Sequence, residues 1–145
     1  MTVQGMPAGG LKTVGQILPT NEITFRNDVN GMEVAVELLS QHMPGGAVVD
    51  ENNSFVGFLS EFDVLRALEA GKDLTKLTAQ DIMVKDRISI TDSTSIKDAV
   101  KIMEEKRLLN LPVERNGKVA YTVTRHDLLR AWIGLGIGGE FKGGD

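Results

Sequence analysis

The sequence predicts a mixed α/β (α+β) fold, with two pseudo-symmetric β-α-β-β-α units packed face to face as one module. Three observations carry this prediction. The first is an internal repeat. Gly57-Phe58-Leu59-Ser60-Glu61-Phe62-Asp63 leads into Val64-Leu65-Arg66-Ala67, and 64 residues later Tyr121-Thr122-Val123-Thr124-Arg125-His126-Asp127 leads into Leu128-Leu129-Arg130-Ala131. The same step relates Asp28 to Asp92, Ala35 to Ala99 and Val36 to Val100. The second is that strand and helix patterns follow in the same order in both copies. The third is Asn116-Gly117 between two apolar runs, a strong hairpin signal. Two copies are too few for a solenoid, so they are expected to form a pair.

Residues 1–13 hold Gly5, Pro7, Gly9 and Gly10 and read as a flexible N-terminal segment. Repeat 1 spans residues 14–70. Ile23-Thr24-Phe25 reads as its first strand. The following helix carries Met32, Ala35, Val36 and Leu39 at helical spacing on one face. Ala47-Val48-Val49 and Phe55-Val56-Gly57-Phe58-Leu59 read as two strands around a polar turn, and Ser60 opens a helix with Phe62, Leu65 and Leu68. Residues 71–78 are read as a linker and residues 79–133 as repeat 2.

In repeat 2, Ile88-Ser89-Ile90 is the expected first strand. A helix begins at Asp92 or Ser93 with Ile96, Ala99, Val100 and Met103 on its inner face. Leu111-Pro112-Val113 and Val119-Ala120-Tyr121-Thr122-Val123 form the hairpin, and Thr124 opens the last helix. In each repeat the first two strands should be parallel, with a helical crossover, and the hairpin antiparallel. Residues 134–145 are a glycine-rich tail.

Bulk properties narrow the functions. A chain of 145 residues can bury one good core. A net charge of −4 leaves no basic footprint for nucleic acid. Without cysteine there are no disulfides, thiolate nucleophiles or Cys-ligated zinc. No apolar run is long enough for a bilayer, and no signal peptide is visible. The expectation is a cytoplasmic protein that contacts neither membrane nor nucleic acid.

The repeated motif has two physical readings. Ser60 and Thr124 stand where a strand becomes a helix, and each side-chain oxygen can accept from a free amide of the first turn. Asp63 and Asp127 fall at the third helical position, which completes a capping box with Asp in place of Glu. The same geometry can also bind. A helix N-terminus offers amides to an anion, the hydroxyl can reach phosphate, and the carboxylate can accept from both hydroxyls of a ribose. Duplication turns this into a pair of equivalent sites.

The pattern Gly-apolar-apolar-Ser/Thr-x-x-Asp closing a β-α-β-β-α unit resembles the cystathionine β-synthase (CBS) domain, and the tandem pair resembles a Bateman module. The resemblance rests on Gln80-Asp81-Ile82-Met83, Asp92-Ser93-Thr94-Ser95-Ile96, Leu111-Pro112-Val113 and Thr124-Arg125-His126-Asp127-Leu128-Leu129, and on Gln16-Ile17-Leu18, Val48-Val49-Asp50 and Ser60-Glu61-Phe62-Asp63 in repeat 1. It implies an adenosine-containing ligand in the cleft between repeats and control of an attached or partner protein. AMP, ADP or ATP is expected, with S-adenosylmethionine or NAD as alternatives, and no cofactor is required.

Carried over by position, Thr124 and Asp127 would hold phosphate and ribose, with Arg125 and His126 beside them. Leu18, Asn21, Ile23, Pro44 and Gly45 would surround that adenine. The companion site would use Ser60 and Asp63, with Met83, Asp86, Ile88, Leu109 and Asn110 near the base. Lys106 and Arg107 are secondary candidates for phosphate and would approach the Asp127 site. The resemblance also implies a homodimer through the helices after each motif, with Phe62, Leu65, Leu128 and Trp132 as participants.

The chain departs from the family pattern in places. Tyr121 stands where Gly is expected, and it either crowds a ligand or packs. Ala47 replaces the proline found as Pro112, and Glu61-Phe62 replaces the basic Arg125-His126. The Asp127 site is therefore expected to bind phosphate. The Asp63 site is expected to be empty, weak or suited to a ligand with little negative charge. An assembly module with empty sites is the rival reading.

Other signals are weaker. Gly134-x-Gly136-x-x-Gly139 follows a helix rather than a strand, which argues against dinucleotide binding. His42 and His126 sit in no metal-ligand spacing. No nucleophile, base and orienting group occur together, so the chain is read as a binder and not an enzyme.

Overall fold

In the computed structural model, residues 12–17 and 23–134 are described. Repeat 1 consists of β1 (Thr24–Arg26), α1 (Gly31–Gln41), β2 (Gly45–Val49), β3 (Phe55–Ser60) and α2 (Glu61–Glu69). A short helix, α3 (Ala79–Ile82), leads into repeat 2. Repeat 2 consists of β4 (Ile90–Thr91), α4 (Ile96–Lys106), β5 (Asn110–Arg115), β6 (Lys118–Thr124) and α5 (Arg125–Trp132). In each repeat the first strand pairs parallel with the second, and the second pairs antiparallel with the third. Two three-stranded sheets result, ordered β1-β2-β3 and β4-β5-β6. The first strands sit slightly later than the apolar runs suggest. Ile88, for example, precedes β4 by two residues.

Helix ends follow local chemistry. The Asn30 side chain accepts from the Met32 amide to start α1, and Ser95 accepts from the Asp98 amide to start α4. Both helices stop at a residue in the left-handed region, His42 at φ 54° and Arg107 at φ 55°. Glycine is the usual occupant of such a cap, because it has no Cβ to crowd the carbonyl.

Each repeat is completed by residues at or just before the start of the other. Val14 and Ile17 lie in the core of repeat 2, with Leu111, Val123 and Leu128. Leu74, Ala79 and Ile82 lie in the core of repeat 1, with Val34, Leu38 and Leu59. Backbone bonds fix the exchange. The Val14 amide donates to Thr94 O at 2.8 Å, and the Gly31 amide donates to Leu77 O at 2.8 Å. Residues 71–78, read from sequence as a linker, thus include a buried anchor, Leu74. Burying a Val or Leu side chain is worth about 1.5–3 kcal/mol, so these anchors clamp the halves together.

The sheets meet through Ala47, Val49, Phe55 and Val119. Next to this contact, buried Asn110 donates from Nδ2 to Gly45 O at 2.9 Å, joining the second strands of the two repeats.

The helix faces need correction. In α4, Ile96, Ala99 and Met103 are buried as the pattern predicts. In α1 the buried residues are Val34 and Leu38, while Met32, Val36 and Leu39 face solvent. In α2, Phe62, Leu65 and Leu68 are 70%, 55% and 49% exposed, and Val64 is buried instead. The reason is that α1 and α2 carry two apolar stripes each. Periodicity finds both stripes but cannot say which one meets the sheet. In α5, Leu128 is core, so it cannot take part in a dimer contact, whereas its neighbour Leu129 is 63% exposed.

Candidate functional site

The two strand-helix junctions have the predicted geometry. Ser60 Oγ accepts from the Asp63 amide at 3.2 Å, and Asp63 Oδ2 accepts from the Ser60 amide at 2.8 Å. Thr124 Oγ1 accepts from the Asp127 amide at 3.1 Å, and Asp127 Oδ2 accepts from the Thr124 amide at 2.9 Å. Both capping boxes are complete. Asp63 and Asp127 are only 6% and 4% exposed, so each carboxylate is held rigidly at the first turn of its helix. Arg66 forms an ion pair with Asp63 Oδ1.

Each junction opens onto its own cavity. The Asp127 cavity has a volume of about 670 Å³. Thr124, Arg125, His126, Asp127 and Pro44 all line it, as the resemblance implied. The Asp63 cavity has a volume of about 620 Å³. Ser60, Asp63, Asp86, Ile88, Leu109 and Asn110 all line that one. Pro44 and Leu109 form a wall common to both cavities. Both volumes fall in the range of small-molecule sites.

Three proposed base contacts among the described residues, Met83, Ile23 and Gly45, line neither cavity. Met83 and Ile23 pack against the repeat 1 core. Gly45 is buried in β2. Tyr121 has a side chain only 1% exposed in the repeat 2 core. Leu18 and Asn21 lie outside the described residues.

Tyr121 therefore packs and does not crowd a ligand. Its hydroxyl shares its one proton between Asp92 Oδ1 at 3.1 Å and Val14 O at 3.3 Å, and Arg115 stacks 5.2 Å above its ring. Arg115 also grips Asp92 through Nε at 2.6 Å and Nη2 at 3.2 Å. The Arg115 guanidinium holds the Asp92 carboxyl below its ordinary range. Burial, helped by Asp92, pushes the Tyr121 hydroxyl up to about 12. The group ties the N-terminal segment to repeat 2.

Sequence reasoning placed two groups wrongly and missed a third. Lys106 and Arg107 line the Asp63 cavity, not the Asp127 cavity. At the Asp127 cavity their place is taken by Gln41 and His42, from the end of α1. Arg130 also lines the Asp127 cavity. Each site thus combines a capping box from one repeat with a helix end from the other. His42 could have been found by pairing it with Arg107, 65 residues on, because α1 and α4 are offset by one more than the 64-residue step. In the Asp63 cavity, Phe58, Val84 and Arg66 were likewise unforeseen.

The family model described as CBS domain matches residues 14–70 and 79–134. The chain belongs to the CBS-domain family. The CBS pair is 28% identical over 120 residues to an uncharacterized protein of Methanopyrus kandleri, covering 81% of this chain and 61% of that protein. The chain thus spans less than two thirds of that relative. Among solved structures it resembles the CBS domain pair of protein MJ0100 in complex with 5′-methylthioadenosine and S-adenosyl-L-methionine, at TM-score 0.72 and 25% identity, over 83% of this chain and 94% of that one. It also resembles CBSX2 in complex with AMP, at TM-score 0.69 and 26% identity, over 82% of this chain and 94% of that one. No helix among the described residues is long and apolar enough to cross a membrane. No group of three or more His, Cys, Asp or Glu side chains among them is placed to hold a metal ion.

Proposed function

We propose that this CBS pair is a regulatory module that binds an adenosine nucleotide in the Asp127 cavity and reports occupancy to a partner protein. One observation carries the reading. The rigid Thr124–Asp127 box opens onto a cavity rimmed by Arg125 and His126, in a domain pair whose structural relatives hold AMP or S-adenosylmethionine. Asp127 would accept from the ribose hydroxyls. The α5 amides, Thr124 and Arg125 would meet the phosphate. The proposed chemistry is binding. Ligand and cavity walls from both repeats would favour one relative arrangement, and the partner would read that arrangement.

Calorimetry with AMP tests this. Asp127→Ala should weaken binding by roughly 10- to 150-fold, the loss of about 1.5–3 kcal/mol for a hydrogen-bonded charged acceptor. Asp63→Ala should leave AMP binding in place. The opposite pattern would move the site to Asp63.

The same module is proposed to act as a homodimer. Met32, Val36 and Leu39 on α1, Phe62, Leu65 and Leu68 on α2, and Leu129 and Trp132 on α5 are all exposed. So many large exposed apolar side chains are unusual for a monomer. Leu129 takes the role that sequence assigned to Leu128. Sedimentation should show a dimer for the parent and a monomer for Phe62→Asp combined with Leu129→Asp; a parent of 15.7 kDa would exclude it.

A further inference from the structure

The Asp63 carboxylate is largely spoken for inside the protein. Its Oδ2 accepts from the Ser60 amide at 2.8 Å and from the Ser60 hydroxyl at 2.9 Å. Its Oδ1 accepts from Arg66 Nη2, one turn further along α2. An ionised carboxylate offers about four lone-pair positions, so these bonds leave about one. The two neighbouring hydroxyls of a ribose need two.

The groups that hold Asp63 differ in freedom. The Asp63 side chain is 5% exposed and locked by the capping box, whereas the Arg66 side chain is 63% exposed. Both line the same cavity. Ser60 cannot withdraw without undoing the start of α2. Arg66 can, because water replaces the carboxylate as its partner, and an ion pair with so exposed a member contributes little to stability. Arg66 is therefore the group whose departure frees a second acceptor position.

We propose that Arg66 sets the specificity of the Asp63 cavity: while paired with Asp63 it keeps that carboxylate from accepting both hydroxyls of a vicinal diol, so a ribose binds there only by displacing the guanidinium. The proposal rests on the ribose role given above to these carboxylates. A ligand that presents a single hydroxyl needs no displacement. The same ion pair disfavours a ribose even before Glu61, at the rim of this cavity, repels a phosphate.

Calorimetry with adenosine and 2′-deoxyadenosine tests this. Neither carries a phosphate, and only the first has a vicinal diol. The full chain carries Asp127→Ala, so that the Asp63 box is the intact one, and is compared with the same chain carrying Arg66→Met as well. Met keeps an aliphatic stem and a high helix propensity, so Arg66→Met should fold as its parent does. Arg66→Met should tighten adenosine binding by about two- to fivefold, the size of one exposed ion pair. Its affinity for 2′-deoxyadenosine should be unchanged. Failure of the ribose reading shows separately, as AMP binding to Asp127→Ala that equals the parent's. Adenosine affinity that does not rise in Arg66→Met overturns the proposal, and so does an equal gain for both nucleosides.

Discussion

Gly57 and Tyr121 occupy equivalent positions in β3 and β6, yet one repeat has no side chain there and the other has a phenol. In repeat 1 the space is filled from elsewhere. A Cβ on Gly57 would lie 2.5 Å from Met83 Sδ and 2.8 Å from Val84 O. In repeat 2 the strand fills the space itself, and Tyr121 reaches Asp92 and the Val14 carbonyl. Both arrangements anchor the segment that crosses from the other half. Repeat 1 does it by letting residues 83 and 84 come close, with Phe58 and Val84 exchanging backbone bonds at 2.8 and 2.9 Å. Repeat 2 does it with a side-chain hydroxyl. Equivalent positions in a duplicated fold can therefore keep a role while exchanging the atoms that perform it.

Breaking the repeat 2 anchor should have the largest effect on stability. Tyr121→Ala removes a fully buried aromatic ring and should cost about 3–5 kcal/mol, read from urea unfolding. A loss below about 1 kcal/mol would mean that the cavity collapses and the N-terminal clamp is dispensable. Gly57→Ala probes the other anchor. The methyl meets a backbone carbonyl that cannot swing aside, so the cost should be about 1–3 kcal/mol of overpacking. A neutral Gly57→Ala would show that the strand at residues 83–84 moves freely, which contradicts the tight pairing with Phe58.

The smallest effects are in pH dependence, and they sharpen the same comparison. The Tyr121 hydroxyl is raised to about 12 from an ordinary value of 10. Its contribution is complete below pH 10 and is lost as pH rises from 10 toward 12. Tyr121→Phe should flatten that alkaline decline. Asp92 is lowered, chiefly by its bonds to Arg115. Its contribution is complete above the ordinary carboxylate value of about 3.9 and fades as pH falls below it. Asp92→Asn should shallow the acid limb of a thermal-melting profile. Arg115 is solvent-facing, so the change should be modest. In repeat 1 the structure puts Asn27, not Asp28, at the place of Asp92; its uncharged amide donates to Gln80 Oε1 at 2.9 Å, so Asn27→Ala should leave both limbs as they are.

Much of the fold was legible because its signals are local. Asn116-Gly117 gives a tight turn wherever it stands between two strands, and Gly117 takes φ 77°. Ser60 with Asp63, and Thr124 with Asp127, close their capping boxes within three residues, so they need nothing from the rest of the chain. The cavity-lining set around Asp63 was also readable by position, since Asp86, Ile88, Leu109 and Asn110 all reach it. Met83 was misplaced for a reason that the sequence hides. The missing side chain of Gly57 draws it inward, against the core.

The sequence by itself determined the order of elements, the duplication and the two capping boxes. These depend on bonds within a turn or on spacing along one element. Tertiary structure alone decided which apolar face of α1 and α2 meets the sheet; on α2 the smaller Val64 and Ala67 pack inward while Phe62, Leu65 and Leu68 are exposed. It also decided which helix end serves which cavity. Residues at or just before the start of each repeat cross to the opposite core, and the Asn110–Gly45 bond joins the two halves. That packing brings His42 to Asp127, and Lys106 and Arg107 to Asp63. These pairings join residues more than forty positions apart, and the burial of both halves against each other, not any local preference, selects them.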